Sequence, residues 1–442
     1  MAKPQDILKR IEKTSNPRLR AEQYHLLATI YLEERKPEKV IESLKMSGEL
    51  AKQFSEDERN EIAQVHAGIL ISMGILFTQE KDFKTAVKAY TKATRILERL
   101  FEEEVQKDFS FLLHSYLSII ELSENLKDFH NVKKNYRAIL KLTAKLPEKD
   151  RNSKKYKSLA ALAHQRIGSI ALENIQTEEA RKELTQSLFL YQELVSEKGD
   201  EYRPQLIFTL NNLGISCRLD NQYSNAIRYL MAALEQQEIL SKKDPQKYLP
   251  YCAASLNVIG NLYTEKKNIR DELDGSSPFT GFGQLSANQD EKEKRKKEDK
   301  KKAAEYYQRA LEIYRQLSST DPSYLPSVAS TLHNLGVLHD EYGEEKKALD
   351  YYTQALKMRR KLATQDPDFF RVDLAITLLN IITLLWSRVE NGKRENIVKA
   401  LPLLEEAEVC LSYYDETEGA IGAMKVELEY YQNRFAKAKE ER

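Results

Sequence analysis

The sequence predicts an all-α protein of about eight stacked helix-turn-helix units closed by a C-terminal capping helix. Three observations predict it. A six-residue pattern recurs as Thr-Leu-Asn-Asn-Leu-Gly ending at Gly214, Ser-Leu-Asn-Val-Ile-Gly ending at Gly260, and Thr-Leu-His-Asn-Leu-Gly ending at Gly336. Aligned on that last position, Ala28, Gly74, Ile120, Gly168, Gly214, Gly260, Gly336 and Ile382 stand 46, 46, 48, 46, 46, 76 and 46 apart. That period fits two helices of roughly 18 residues with short turns. The 15 Gly and 12 Pro in 442 residues are too few to punctuate many short strands.

The elements follow in order. Residues 1–16 form a small N-terminal cap around Ile7, Leu8 and Ile11. Residues 17–412 hold the repeats. Three positions after each anchor stand Tyr31, Phe77, Ser123, Ala171, Cys217, Tyr263, His339 and Leu385; twelve after it, where the spacing is intact, stand Val40, Ala86, Val132, Ala180, Ala226 and Ala348. Ala93, Ala233, Ala310, Ala355 and Ala407 come further along. A bulky side chain on one helix needs a small partner where the next crosses closely, which accounts for Gly and Ala at fixed places. Asp244-Pro245, Asp321-Pro322 and Asp366-Pro367 mark connectors, with proline ending the preceding helix and aspartate suiting a turn. Residues 413–442 supply the closing helix, whose Ile421, Met424, Leu428, Tyr431 and Phe435 recur at helical spacing. Ordering one 46-residue unit costs on the order of 70 kcal/mol at about 1.5 per residue, so no unit stands without neighbours.

The long interval places an insertion at residues 264–302 within the sixth repeat. Its first half, rich in Gly and Ser, reads as a loop, where Phe279 and Phe282 form a candidate tethering motif. Its second half, Glu291 to Lys302, carries eight basic and four acidic residues and reads as a solvated helix rather than a nucleic-acid arm.

Charge and cysteine content narrow the function classes. The 69 Lys and Arg against 68 Asp and Glu leave +1, so no global field draws the chain to nucleic acid or an anionic membrane. Cys217, Cys252 and Cys410 are far apart and in no CxxC pair, which argues against a disulfide framework or zinc site and for a reducing cytoplasm. The first 30 residues have no apolar h-region, and no uninterrupted apolar run reaches spanning length, so an unexported protein without a membrane partner is expected. The seven histidines include no i, i+4 pair for a metal, Gly281-Phe-Gly283 lacks the strand and later glycine of a phosphate loop, and no nucleophile elbow occurs. The expectation is a non-catalytic protein with no cofactor.

Leu335, Gly336, Ala348, Tyr352 and Ala355 closely resemble the tetratricopeptide consensus, in which the first helix of a hairpin carries Leu-Gly and Tyr and the second carries Ala, an aromatic and Ala. The 46-residue period makes the chain similar to the long-helix variant of kinesin light chains and many bacterial scaffolds, over nearly all of residues 17–412. Ala28, Ile120 and Ile382 depart from the Leu-Gly signature. The heptad segment that precedes the repeats of kinesin light chains has no counterpart, so only the repeat fold carries over. The resemblance implies a right-handed superhelical solenoid whose first helices line a concave groove, and the work of a protein–protein interaction scaffold or adaptor that binds an extended partner segment.

Positions three before, one after and four after each anchor make an exposed stripe beside the core. The first of these gives a column of Gln165, Asn211, Asn257 and His333, whose groups both donate and accept and so suit the backbone of an extended peptide. The same groups also suit ties between adjacent helices, and the sequence leaves both readings open. Ile215, Arg218, Asn261, Val337, Asp340 and Trp386 complete the candidate groove. Asn212, Asn334 and Asn380, adjoining the core, lean toward structure. Because the stripe is not Lys-rich, it does not match the carboxylate clamp of chaperone-tail binders. A regulatory subunit whose solenoid changes shape on binding a ligand, and a nucleic-acid binder using the Lys-rich insertion, are the alternatives.

Overall fold

A computed structural model describes residues 3–105, 109–275, 289–415 and 419–440. These residues form helices and turns, with no strand among them. They divide into two compact units, Met1–Gly199 and Asp200–Arg442.

In the first unit α1 (Pro4–Lys13) precedes four hairpins. These are α2 (Pro17–Glu33) with α3 (Pro37–Ala51), α4 (Glu56–Gln79) with α5 (Phe83–Glu102), and α6 (Ser110–Asn125) with α7 (Phe129–Ala144). After the single turn α8 (Glu148–Arg151), α9 (Lys154–Glu173) pairs with α10 (Thr177–Lys198). The second unit continues with α11 (Arg203–Leu219) and α12 (Tyr223–Ser241), then α13 (Pro245–Gly275) and α14 (Gln289–Thr320). It ends with α15 (Leu325–Glu341) and α16 (Glu345–Gln365), α17 (Pro367–Glu390) and α18 (Asn396–Ser412), and α19 (Gly419–Glu440). The described residues thus hold eight hairpins, numbered here first to eighth.

Five of the hairpins are locked at one close crossing over a first-helix glycine. A Cβ built on Gly336 would lie 2.4 Å from the Tyr352 ring, one on Gly74 2.6 Å from Tyr90, and one on Gly214 2.8 Å from Leu230. The partner sits sixteen residues after the anchor in each case, so the first helix presents bare backbone to a bulky side chain of the second. In the sixth hairpin the same contact joins Gly260 and Tyr307 across the insertion. The small residues that flank the crossing on second helices, among them Ala86, Ala180, Ala303, Ala348 and Ala355, are fully buried.

The turn after each first helix is also repeated. Arg35, Lys81, Lys127, Ile175, Asn221 and Gly343 have left-handed backbone, with φ between 56° and 71°. The next residue donates its N–H to a carbonyl five back, as in Lys36 to Tyr31, Gln176 to Ala171 and Glu344 to His339, at 2.8–2.9 Å. This is the Schellman closure of a helix C-terminus, a position that favours glycine. Only Gly343 supplies it among the six.

The Asp-Pro pairs act differently from the sequence expectation. Asp244, Asp321 and Asp366 accept backbone N–H bonds from Lys247, Ser323 and Phe369 at 2.9–3.2 Å, and the prolines take the first position of the following element. They start the next helix rather than stop the last, because proline's missing N–H and fixed φ suit a first turn.

At the ends, Ile7 and Ile11 of α1 are buried while Leu8 stays exposed. Leu428 and Phe435 of α19 are buried against the eighth hairpin, with Ile421, Met424 and Tyr431 packed around them. The 24-residue helices α4 and α17 are long and apolar enough by composition to cross a membrane. Both are hairpin members, with Met73, Leu70, Leu378 and Ile382 in the core clusters.

Two measurements test this account. Gly336→Ala pushes a methyl into the buried Tyr352 ring and should lower stability by about 1–3 kcal/mol in thermal melting, the usual cost of overpacking. Ile175→Gly should raise it by up to ~1 kcal/mol in denaturant unfolding, because relief of a left-handed β-branched residue exceeds glycine's entropy penalty.

Candidate functional site

The first helices of the second unit are joined side by side by their own polar groups. Asn257 Nδ2 of α13 donates to Thr331 Oγ1 of α15 at 2.8 Å, and Asn334 Nδ2 donates to Asn261 Oδ1 at 3.3 Å. Arg218 of α11 forks onto Glu265 of α13 at 2.8 and 3.0 Å. His333 of α15 faces Thr377 and Asn380 of α17 at 3.4 and 3.3 Å. The result is one continuous face across α11, α13, α15 and α17.

What that face shows to solvent is set by helical phase. On α11 the open positions are Pro204, Phe208, Ile215 and Leu219, with Asn212 half-buried among them; on α13 they are Tyr251, Ala254, Val258 and Asn261. Phe208, Ile215, Tyr251 and Val258 are 44%, 46%, 58% and 40% exposed, so the face offers apolar area as well as amides. The open stripe falls two before the anchor rather than three. Asn212, Asn334 and Asn380 lie on it, half-buried, and Asn334 and Asn380 bond neighbouring first helices, the structural role their position beside the core suggests.

The expected column divides. Gln165, in the first unit, and His333 are buried, at 5% and 8% exposure, which corrects their placement on an exposed stripe. Asn211 and Asn257 are half-buried, and the Oδ1 of each is buried with no hydrogen-bond donor among the described residues. His333 is enclosed because Arg359 of α16, itself buried, runs beneath it. The guanidinium Nη1 lies 3.5 Å from His333 Nδ1, donates to the Asp373 carbonyl at 2.7 Å, and also bonds Thr377. Burial, then the nearby Arg359 charge, holds the imidazole pKa down to about 3. Arg359 escaped the sequence reading: a lone arginine on a second helix gives no hint that three groups of other helices converge on it.

The remaining candidates are scattered in role. Ile215, Arg218 and Asn261 are exposed on the face, and Asn261 accepts the Tyr307 hydroxyl at 2.6 Å. Val337 and Asp340 are half-buried, and burial raises the Asp340 carboxyl. Trp386 packs edge-on against Phe435 of α19 at 4.9 Å, under the Arg434 guanidinium, which ties it to the closing helix. Phe279 and Phe282 lie outside the described residues. Lysines of the inserted run are engaged at home: Lys300 reaches Glu344 and Lys302 reaches Glu298, each at 2.8 Å. No cluster of three metal-ligating side chains occurs among the described residues.

The tetratricopeptide repeat family model matches residues 294–361, which run from α14 into α16. Similar solved structures include BtubC (BKLC) from P. vanneervenii, 16% identical over 63% of this chain and 92% of that one, with a TM-score of 0.39. Another is the signal transduction ATPase PH0952 from Pyrococcus horikoshii, which has a tetratricopeptide repeat sensor; it is 14% identical over 92% of this chain and 54% of that one, with a TM-score of 0.42. A Rap protein complexed with competence and sporulation factor is 14% identical over 95% and 98%, with a TM-score of 0.34. Comparison with curated proteins found no match.

The depressed His333 pKa has a measurable consequence. An unfolded histidine titrates near 6.5, so the folded state resists a proton that the unfolded state accepts. The stability held by this group is complete above that pH and is lost as pH falls toward about 3, at up to ~1.4 kcal/mol per unit. His333→Gln should therefore flatten the acid limb of a denaturation-midpoint-against-pH curve relative to the wild-type chain.

Proposed function

We propose that this chain, which carries tetratricopeptide repeats, is a non-catalytic scaffold that holds an extended segment of a partner protein on the first-helix face of its second unit. The observation that carries the reading is the solvent-facing row of Phe208, Ile215, Tyr251 and Val258 on successive first helices, set beside the half-buried amides of Asn211 and Asn257. The exposed Phe208, Ile215 and Val258 provide apolar seats for alternate side chains of an extended segment, and the half-buried amides of Asn211 and Asn257 lie beside them for its backbone. Affinity then comes from several modest contacts rather than one deep pocket.

Peptides selected from a displayed random library on the full chain provide the test. Asn211→Ala with Asn257→Ala should weaken their binding by roughly one order of magnitude, two hydrogen bonds of about 0.5–1.5 kcal/mol each. The melting temperature should fall little, since only the Asn257–Thr331 bond is lost from the fold. Unchanged affinity with a lower melting temperature would assign both asparagines to structure and remove the reading.

A further inference from the structure

Two adjoining hollows of about 350 and 310 Å³ lie between α3 and α5 in the first unit, with α4 beneath them. They share His66, Arg95 and Ile96. Their floor is apolar, formed by Ile41, Leu44, Ile62 and Leu70, and their edges carry Lys45, Lys52, Arg59, Lys92, Arg95 and Arg99. No carboxylate lines either one.

This charge arrangement is not what the rest of the chain does. In the next hollow, between α5 and α7, the lining includes Glu98 and Glu102, while Lys133 and Arg137 of α7 are paired with Glu179. Around the α3–α5 hollows Glu58 and Glu61 bind Arg18 and Glu98 accepts the Tyr116 hydroxyl, while Glu49 alone turns to the rim, bonding Lys52 and lying within the field of Lys45. Of the six cations only Lys52 forms an ion pair among the described residues, with Glu49. Lys92, Arg95 and Arg99 follow one another at i+3 and i+4 on one face of α5, a spacing at which like charges repel and destabilise a helix. At the shared floor the His66 side chain is nine-tenths buried, and its Nε2 has no hydrogen-bond partner among the described residues.

We propose that this groove is a second docking surface, separate from the first-helix face, for an acidic amphipathic helix of a partner protein. An apolar floor between two cationic edges selects a segment with one apolar stripe flanked on both sides by carboxylates. Glutamates along α5 relieve the repulsion within the Lys92–Arg99 row, and the apolar stripe covers Leu44, Ile62 and Ile96. A phosphate backbone would satisfy the cations but leave that floor uncovered.

Fluorescence anisotropy on the full chain tests the assignment with synthetic probes of equal length. One has a leucine stripe flanked by glutamates, one the same stripe flanked by lysines, one is polyglutamate, and a short DNA duplex is the fourth. The acidic amphipathic peptide should bind at least about ten-fold more tightly than each of the others. Arg95→Gln with Arg99→Gln, both exposed positions, should reduce that binding by about ten-fold or more, whereas Lys134→Gln with Lys141→Gln on the next hollow should leave it unchanged. Absence of binding, equal binding of polyglutamate, tighter binding of DNA, or indifference to the Arg95 and Arg99 changes would each overturn the proposal.

Discussion

Five of the eight hairpins among the described residues depend on one steric contact, the passage of a bulky second-helix side chain over the bare backbone of a first-helix glycine. At Gly336 and Tyr352, and at Gly74 and Tyr90, the ring stands where a methyl group would otherwise be. The closeness of that crossing brings Ala348 and Ala355, Ala86 and Ala93, into full burial on either side. It also fixes where the first helix must end, because the left-handed turn at Arg35, Lys81, Lys127, Ile175, Asn221 and Gly343 always falls seven residues after the anchor. The eighth hairpin shows the same constraint by exception. Its anchor is Ile382, its left-handed glycine is Gly392, and the buried trio that matches Ala348, Tyr352 and Ala355 is Ala400, Leu404 and Ala407. The turn after Ile382 is longer and the second helix is shifted with it, whereas Ile120, an equally bulky anchor, keeps the ordinary turn at Lys127.

Charge explains how hairpins keep register once formed. Arg35 pairs with Glu80, Lys133 with Glu179, Arg218 with Glu265 and Arg360 with Glu406, each about one repeat apart in sequence. Exposed pairs contribute only ~0–1 kcal/mol each, but a ladder of them disfavours any slip of one hairpin against the next. Each such pair uses one charge of either sign, in keeping with a chain that is 31% charged yet carries a net charge of +1. The unpaired cations between α3 and α5 stand out against that background.

The repeat was legible because it is written in side-chain volume. Small residues at fixed intervals survive any choice of partner, and the aligned Leu-Gly positions point to the crossing directly. The open face was less legible, for a geometric reason. Positions two and three before the anchor lie about 100° apart on a helix, and which of them faces solvent depends on the angle at which the neighbouring first helix packs, a quantity no local pattern carries. His333 shows the limit most sharply. A histidine in an asparagine column reads as a surface group, yet Arg359, Thr377 and Asn380 arrive from 26, 44 and 47 residues away to enclose it. The Asp-Pro pairs failed in a smaller way, since the dipeptide marks a boundary without saying which helix it belongs to.

The divided column shows how one position joins adjacent hairpins with two different side-chain chemistries. Asn257 bonds Thr331, and His333 faces Thr377; each threonine is fully buried five before the next anchor, so the two contacts are one repeated joint. An asparagine amide has a donor and an acceptor end. Once Nδ2 has made the joint, Oδ1 remains, and at Asn257 it remains without a donor. An imidazole offers only two nitrogens, and in His333 one faces Thr377 and the other Asn380. The same position therefore ties hairpins in both repeats but keeps a spare acceptor only where it is an amide.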